Sequence, residues 1–194
     1  MTDQTRVAAS LRETADVVAA MAADPALCAA AAAAAGLVAR SLRQGGRLLL
    51  CGNGGSAADA QHWAGELVGR FLRDRPGLAA IALTADGTIL TALGNDYGYA
   101  RVFARQIEAL GRPGDVLFAL STSGRSANIL AALETARAGG LATVGFTGAE
   151  GAAMAPLCDL LLRVPSRATP RIQEGHEALG HIICGLVEDA LNPA

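Results

Sequence analysis

The chain has 194 residues, 52% hydrophobic and 18% charged, which excludes a disordered polymer and suits one domain with an ample core. Sixteen basic against eighteen acidic residues leave a net charge of −2, and aromatics are 4%, so neither charge nor stacking surface favours nucleic acid. Every basic residue is an arginine; the absence of lysine excludes Schiff-base chemistry on a lysine amine and any lysine-dependent phosphate loop.

Two helices open the chain. Val7, Leu11, Val17, Val18 and Met21 trace an apolar stripe of helical period. Asp24-Pro25 reads as the N-cap and first-turn proline of a second helix ending at Gly45-Gly46. Its apolar run, Ala26 to Ala39, is mostly alanine and shorter than the ~18 residues of a membrane span. This hairpin packs either on its own domain or on a neighbouring subunit. Residues 1–36 are assigned to a helical segment packed on the same fold and 37–194 to the main domain.

From Arg47 the pattern alternates. Short apolar runs at Arg47–Cys51, Leu78–Leu83, Asp115–Leu120, Ala142–Phe146 and Asp159–Val164 read as strands without inside–outside alternation, as parallel strands buried on both faces require. Helical stretches at Ala57–Arg70, Ala100–Leu110, Ser126–Ala138 and Pro170–Leu191 separate or follow them. The expectation is an α/β, three-layer αβα sandwich around a five-stranded parallel sheet. Cys28, Cys51, Cys158 and Cys184 form no C-x-x-C pair and lie in apolar company, so they read as small buried hydrophobes. No basic segment followed by an apolar one opens the chain, and a cytoplasmic protein with reduced thiols is expected, with no membrane partner.

Ligands of open parallel sheets bind beyond the carboxyl ends of the strands. After the first strand comes Gly52-Asn53-Gly54-Gly55-Ser56, then a helix: a tight turn whose N-terminal N–H groups suit an anion, or simply a turn. It satisfies a loose G-x-G-x-x-G/A, but Asp74, the acid at dinucleotide spacing, precedes the second strand instead of ending it. After the third strand comes Ser121-Thr122-Ser123-Gly124-Arg125-Ser126, a hydroxyl-rich cradle for phosphate or a set of helix caps. Two such loops at one sheet edge point to a phosphorylated small molecule.

His62 and Glu66, at i and i+4, share a helix face, which suits a metal-ligand pair, an acid–base pair or a surface contact. On the last helix Gln173 and His181 lie about 80° apart with Glu177 between them, so they can converge; His176 lies about 140° from His181 and turns away, to packing, surface or an interface.

The stretch from Cys51 to Phe71 resembles the bacterial phosphoheptose isomerases of the sugar-isomerase (SIS) domain superfamily. Ala92–Tyr97, Arg112–Val116, Ser121–Gly124 and Arg171–Glu174 match in the same order. The resemblance covers the chain from the first strand onward. It implies a flavodoxin-like sheet, a homotetramer with sites built across subunits, and conversion of sedoheptulose 7-phosphate to D-glycero-D-manno-heptose 7-phosphate through an enediol, feeding nucleotide-activated heptose synthesis. By the same carry-over Asn53, Gly54, Gly55, Ser56, Asn95, Asp96, Ser121, Thr122, Ser123 and Ser126, with Glu66 and Gln173, match sugar-phosphate contacts. His62, Glu66, Gln173 and His181 match metal positions taken to be zinc, one per subunit, and Glu66 and His181 match the acid–base pair.

Three departures touch substrate detail: Arg125 inside the phosphate loop, Gly65 within the His62–Glu66 helix, and the Asp86-Gly87 turn. The rival readings are a non-catalytic binding protein of the same fold that associates with the replication initiator, and an isomerase or regulator for another phosphosugar. In the initiator-associated family the positions of Glu66 and His181 are not Glu and His, so their presence favours the enzyme.

Overall fold

The computed structural model describes residues 1–192. Five parallel strands, β1 (Leu48–Cys51), β2 (Ala80–Ala82), β3 (Val116–Leu120), β4 (Ala142–Thr147) and β5 (Leu160–Arg163), form one sheet in the order β2-β1-β3-β4-β5. That is the flavodoxin-type order, whose topological switch point lies between β1 and β3. In register Leu48 faces Val116 and Cys51 faces Ala119.

The missing alternation in the sequence has a direct cause. Leu48 and Leu50 of β1 point into one apolar cluster and Leu49 and Cys51 into another, so both faces of the strand are buried. The first cluster is closed by α2 (Pro25–Arg43), α3 (Gly55–Val68) and α7 (Thr169–Leu191), the second by α5 (Ala104–Leu110) and α6 (Ala127–Ala138). The three layers expected from the sequence are present.

The N-terminal helices divide the two roles left open for them. α2 starts as read, with Asp24 Oδ1 accepting from the N–H groups of Ala26 and Leu27, and it packs on α7 and β5 of its own domain. It is unbroken across residues 36 and 37, so the assigned segment boundary falls inside a helix. At 19 residues and a mean hydropathy of 1.5 it is long and apolar enough to cross a membrane. Here, however, Leu27, Ala31, Ala34, Ala35, Val38 and Ala39 are spent on the sheet layer. The preceding helix, α1 (Asp3–Ala22), buries Met21 only and leaves Val7, Leu11 and Val18 exposed. It is fastened to α7 by Arg171, which donates to the Ser10 carbonyl (2.6 Å) and hydroxyl (3.0 Å), and by Thr14, which donates to Glu174 (2.9 Å).

One element was not legible. α4 (Gly87–Tyr97) occupies a stretch read only as a turn at Asp86-Gly87. Two glycines and two threonines lower its helical propensity, and the helix is started by Asp86, whose carboxylate accepts from the Ile89 N–H at 2.9 Å. β2 is also shorter than the apolar run that announces it, because only three residues pair with β1.

Candidate functional site

The two polar loops leave the adjacent strands β1 and β3 and each opens a helix, α3 and α6, at the switch point. Each contains one glycine in the left-handed region, Gly54 (φ +57°) and Gly124 (φ +65°). At Gly124 even an added Cβ would strike the Gly151 backbone. Ser126 stands at the N-cap of α6 but makes no capping bond; its hydroxyl pairs with that of Ser121 at 3.0 Å. The simple capping reading of this loop therefore fails for Ser126, and its hydroxyl faces its neighbour in the loop. Ser123 Oγ accepts from the Arg125 N–H at 3.2 Å. Thr122, Ser123 and Arg125 line a cavity of about 210 Å³ with Glu150, Arg167 and Thr169, next to the first turn of α7.

The loops are strapped together by amides. Asn53 donates to Asn128 Oδ1 (2.9 Å), the Asn128 amide donates back to Asn53 Oδ1 (2.8 Å), and Tyr99 donates its hydroxyl to the same oxygen (3.1 Å). The Asn53 side chain is thus taken up within the protein as a strut between β1 and β3 loops. Gln173, reaching from α7, lies directly over Gly55, where any Cβ would collide with its amide. Ser56 is buried behind the same loop. Asn95 and Asp96 sit exposed near the end of α4 and bond to each other at 2.7 Å. Among the described residues they make no side-chain hydrogen bond to the other site residues.

Helix α3 crosses α7 at Gly180, whose missing side chain admits Trp63. This close crossing brings the titratable residues together. His62 Nε2 lies 2.9 Å from His181 Nε2 and 3.5 Å from Glu66 Oε1, and the ligand atoms of His62, Glu66 and His181 all fall within 4.8 Å of one another. The i, i+4 reading of His62 and Glu66 holds as geometry, and His181 meets them as the helical angles allowed.

Glu177, which helical spacing places between Gln173 and His181 without giving it a role, joins the cluster. Its Oε2 accepts from Trp63 Nε1 at 2.9 Å, and its Oε1 lies 3.2 Å from Nε2 of both histidines. The signal was available: Glu177 stands four residues from both Gln173 and His181 on one helix face. Asp59, one turn before His62, is pushed up to about 6 by burial first and by the Glu177 charge second, with His62 opposing; its Oδ2 has no hydrogen-bond partner.

His176 does turn away. It is fully buried, edge-on to Phe146 with centroids 5.9 Å apart, and neither ring nitrogen completes a hydrogen bond. Of the three roles open to it, core packing is the one it occupies in this chain.

Comparison with known proteins matches residues 11–148 to the SIS domain family. The chain is 59% identical over 187 residues to a phosphoheptose isomerase of Burkholderia pseudomallei, covering 96% of this chain and 95% of that one. It is 61% identical over 162 residues to the phosphoheptose isomerase of Rhodospirillum rubrum, covering 84% and 86%. Its fold superposes on the phosphoheptose isomerase structure from Neisseria gonorrhoeae with a TM-score of 0.91 at 43% identity, covering 97% of this chain and all of that one. The corresponding structure from Francisella tularensis gives 0.92 at 38% identity with the same coverage.

Proposed function

Because the chain belongs to the phosphoheptose isomerases of the SIS-domain family, we propose that it converts sedoheptulose 7-phosphate to D-glycero-D-manno-heptose 7-phosphate with Glu66 and His181 as its acid–base pair. It is an isomerase acting on a sugar phosphate, and the reaction moves a carbonyl from C2 to C1. Glu66 takes the proton from C1 of the ketose while His181 delivers one to the C2 oxygen, giving an enediol. The proton held by Glu66 then goes to C2 while His181 takes the proton of the C1 hydroxyl, which becomes the carbonyl, and both groups return to their starting states. Two groups on facing helices, neither tied to a lysine or arginine, suit this two-proton exchange. The observation that carries the reading is the convergence of His62, Glu66 and His181 from α7 and from α3, the helix that the first anion-suited loop opens.

The phosphate is assigned to the hydroxyls of Ser121, Thr122, Ser123 and Ser126 and the N-terminus of α6, with Gly54, Gly55 and Ser56 shaping the other wall of the crevice. Neutral donors and a helix terminus hold the anion where the chain has no lysine to offer. Asn95 and Asp96, exposed on α4, are assigned to sugar contacts completed across a subunit boundary.

His62, Glu66, Gln173 and His181 are the residues assigned to a zinc ion. Two imidazole nitrogens and a carboxylate make a donor set that zinc accepts. The Nε2 atoms of His62 and His181, 2.9 Å apart, and the Glu66 carboxylate would hold such an ion. When bound, zinc supplies Lewis-acid polarisation of the reacting oxygens. Glu177, anchored by Trp63, brings Oε1 to 3.2 Å from the same two Nε2 atoms, so its carboxylate stands among the ligand nitrogens.

A homotetramer is supported by the apolar surface left on α1. Val18 lines a groove with Ile182 and Leu186 of α7, and these three are exposed together with Val7 and Leu11 earlier on α1. A cytoplasmic setting is consistent with four free cysteines. The deciding experiment is incubation of the purified protein with sedoheptulose 7-phosphate, followed by NMR: an aldose anomeric signal is expected, and its absence from a zinc-loaded, folded sample overturns the reading.

A further inference from the structure

Phe71 follows α3 by three residues. Its ring is stacked on the His181 imidazole, with centroids 5.5 Å apart and planes 18° from parallel. It also lies against Gly185, one turn further along α7, where an added Cβ would touch the ring at 3.4 Å.

The segment that carries Phe71 is held by a closed polar system. The Glu188 carboxylate accepts from the N–H groups of Phe71 (3.3 Å), Leu72 (2.9 Å) and Arg73 (3.1 Å) and pairs with Arg75 Nε at 3.1 Å. Both charged side chains are almost wholly out of water, 1% and 2% exposed. The Arg75 guanidinium donates in turn to the carbonyls of Glu66 (2.8 Å), Leu67 (2.7 Å) and Gly69 (3.1 Å). These are the carbonyls left open where α3 ends. One buried ion pair thus ties the end of the helix bearing His62 and Glu66 to the helix bearing His181, with Phe71 fixed between them. A buried charge pair with its hydrogen bonds filled is costly to rearrange, so the segment has one geometry.

His181 needs such support. Its Nε2 faces His62 and Glu177, while its Nδ1 makes no hydrogen bond among the described residues. An imidazole that ligates a metal is ordinarily oriented through a bond from its second nitrogen. Here a flat aromatic face occupies the side of the ring instead.

We propose that Phe71 is a positioning residue for His181: the Glu188–Arg75 clamp sets the phenyl ring, and the ring sets the rotamer that aims Nε2 at His62 and the reacting oxygens. This rests on the reading of His181 as the acid of the isomerisation.

The test compares Phe71→Leu, which keeps an apolar side chain but removes the flat face, with Phe71→Tyr, which retains it. Phe71→Leu is expected to lower kcat on the order of 10- to 100-fold, the effect of a misplaced catalytic group, with KM within about twofold because the phosphate loops are untouched. Phe71→Tyr restores kcat. In proton–carbon NMR the His181 ring resonances, assigned by their loss in His181→Gln, lose their ring-current displacement in Phe71→Leu and keep it in Phe71→Tyr. Wild-type kcat in Phe71→Leu, or kcat and the melting temperature falling together without rescue by tyrosine, overturns the proposal. Should the wild-type protein itself not isomerise the substrate, the functional reading fails, and the catalytic part of the proposal falls with it. The NMR comparison still decides whether Phe71 orients His181: unchanged His181 shifts in Phe71→Leu overturn that too. Glu188→Gln is the second arm, expected to reproduce the kcat loss wherever the variant folds.

Discussion

His62 and His181 stand 119 positions apart in the chain and meet with their Nε2 atoms 2.9 Å apart. With Glu66 Oε1 3.5 Å from His62, these two imidazole nitrogens make a donor set of the kind a divalent cation accepts.

Bound zinc, measured by elemental analysis of purified protein, is therefore expected to fall sharply in His62→Ala and His181→Ala. Circular dichroism should show the fold intact, since both side chains are nearly half exposed. Full zinc occupancy in both variants means the cation lies elsewhere.

Glu66→Gln keeps the shape of the side chain and removes the base. Turnover of sedoheptulose 7-phosphate should drop about 10²–10⁴-fold, and His181→Gln by a comparable amount. Wild-type rates in both variants would falsify the acid–base assignment.

The hydroxyl cradle makes a different signature. Ser121→Ala and Ser123→Ala each remove a donor to a charged group and should weaken substrate binding by about 1–3 kcal/mol, read as a rise in KM or by calorimetry. Ser126→Ala should weaken binding while costing no more than about 1 kcal/mol of stability, the loss of its hydroxyl pair with Ser121, because Ser126 does not cap α6. A larger loss of stability in that variant contradicts this arrangement.

His176 predicts a pH dependence. Burial pushes it down from 6.5 to about 4, the nearby Thr147 main chain opposing only in part. The unfolded chain takes up this proton first as pH falls, so the native state is destabilised progressively from pH 6.5 down to about 4. The total is on the order of 3 kcal/mol. His176→Leu removes two unpartnered buried nitrogens and should flatten that loss. Urea unfolding at pH 7.5 and pH 5 measures it: an equal drop in wild type and variant assigns the acid sensitivity to other groups.

The exposed stripe of α1 should matter only to assembly. Light scattering is expected to give a tetramer for the wild type and smaller species for Leu11→Glu and Val18→Glu, with secondary structure retained. A stable monomer of the unaltered protein at micromolar concentration removes the cross-subunit assignment of Asn95 and Asp96.

The features legible in the chain alone are those governed by local rules. Buried strands such as Leu48–Cys51 and Val116–Leu120 announce themselves by unbroken apolar runs. Asp24-Pro25 starts α2 as a cap and a first-turn proline, and the loops after β1 and β3 carry the glycines and hydroxyls an anion site uses. Helical spacing was enough to put His62 with Glu66 and to turn His176 from His181. α4 escaped because its glycines and threonines weaken the local signal and a single aspartate cap starts it. The remaining contacts arise from packing, because they depend on where α3 crosses α7. Gly180 admits Trp63, Trp63 anchors Glu177, and Glu177 reaches both histidines; Glu188 and Arg75, more than a hundred residues apart, close on each other and lay Phe71 against His181. Contacts between residues so distant in the chain leave no periodicity to read; they exist only once the two helices are packed at one angle and depth.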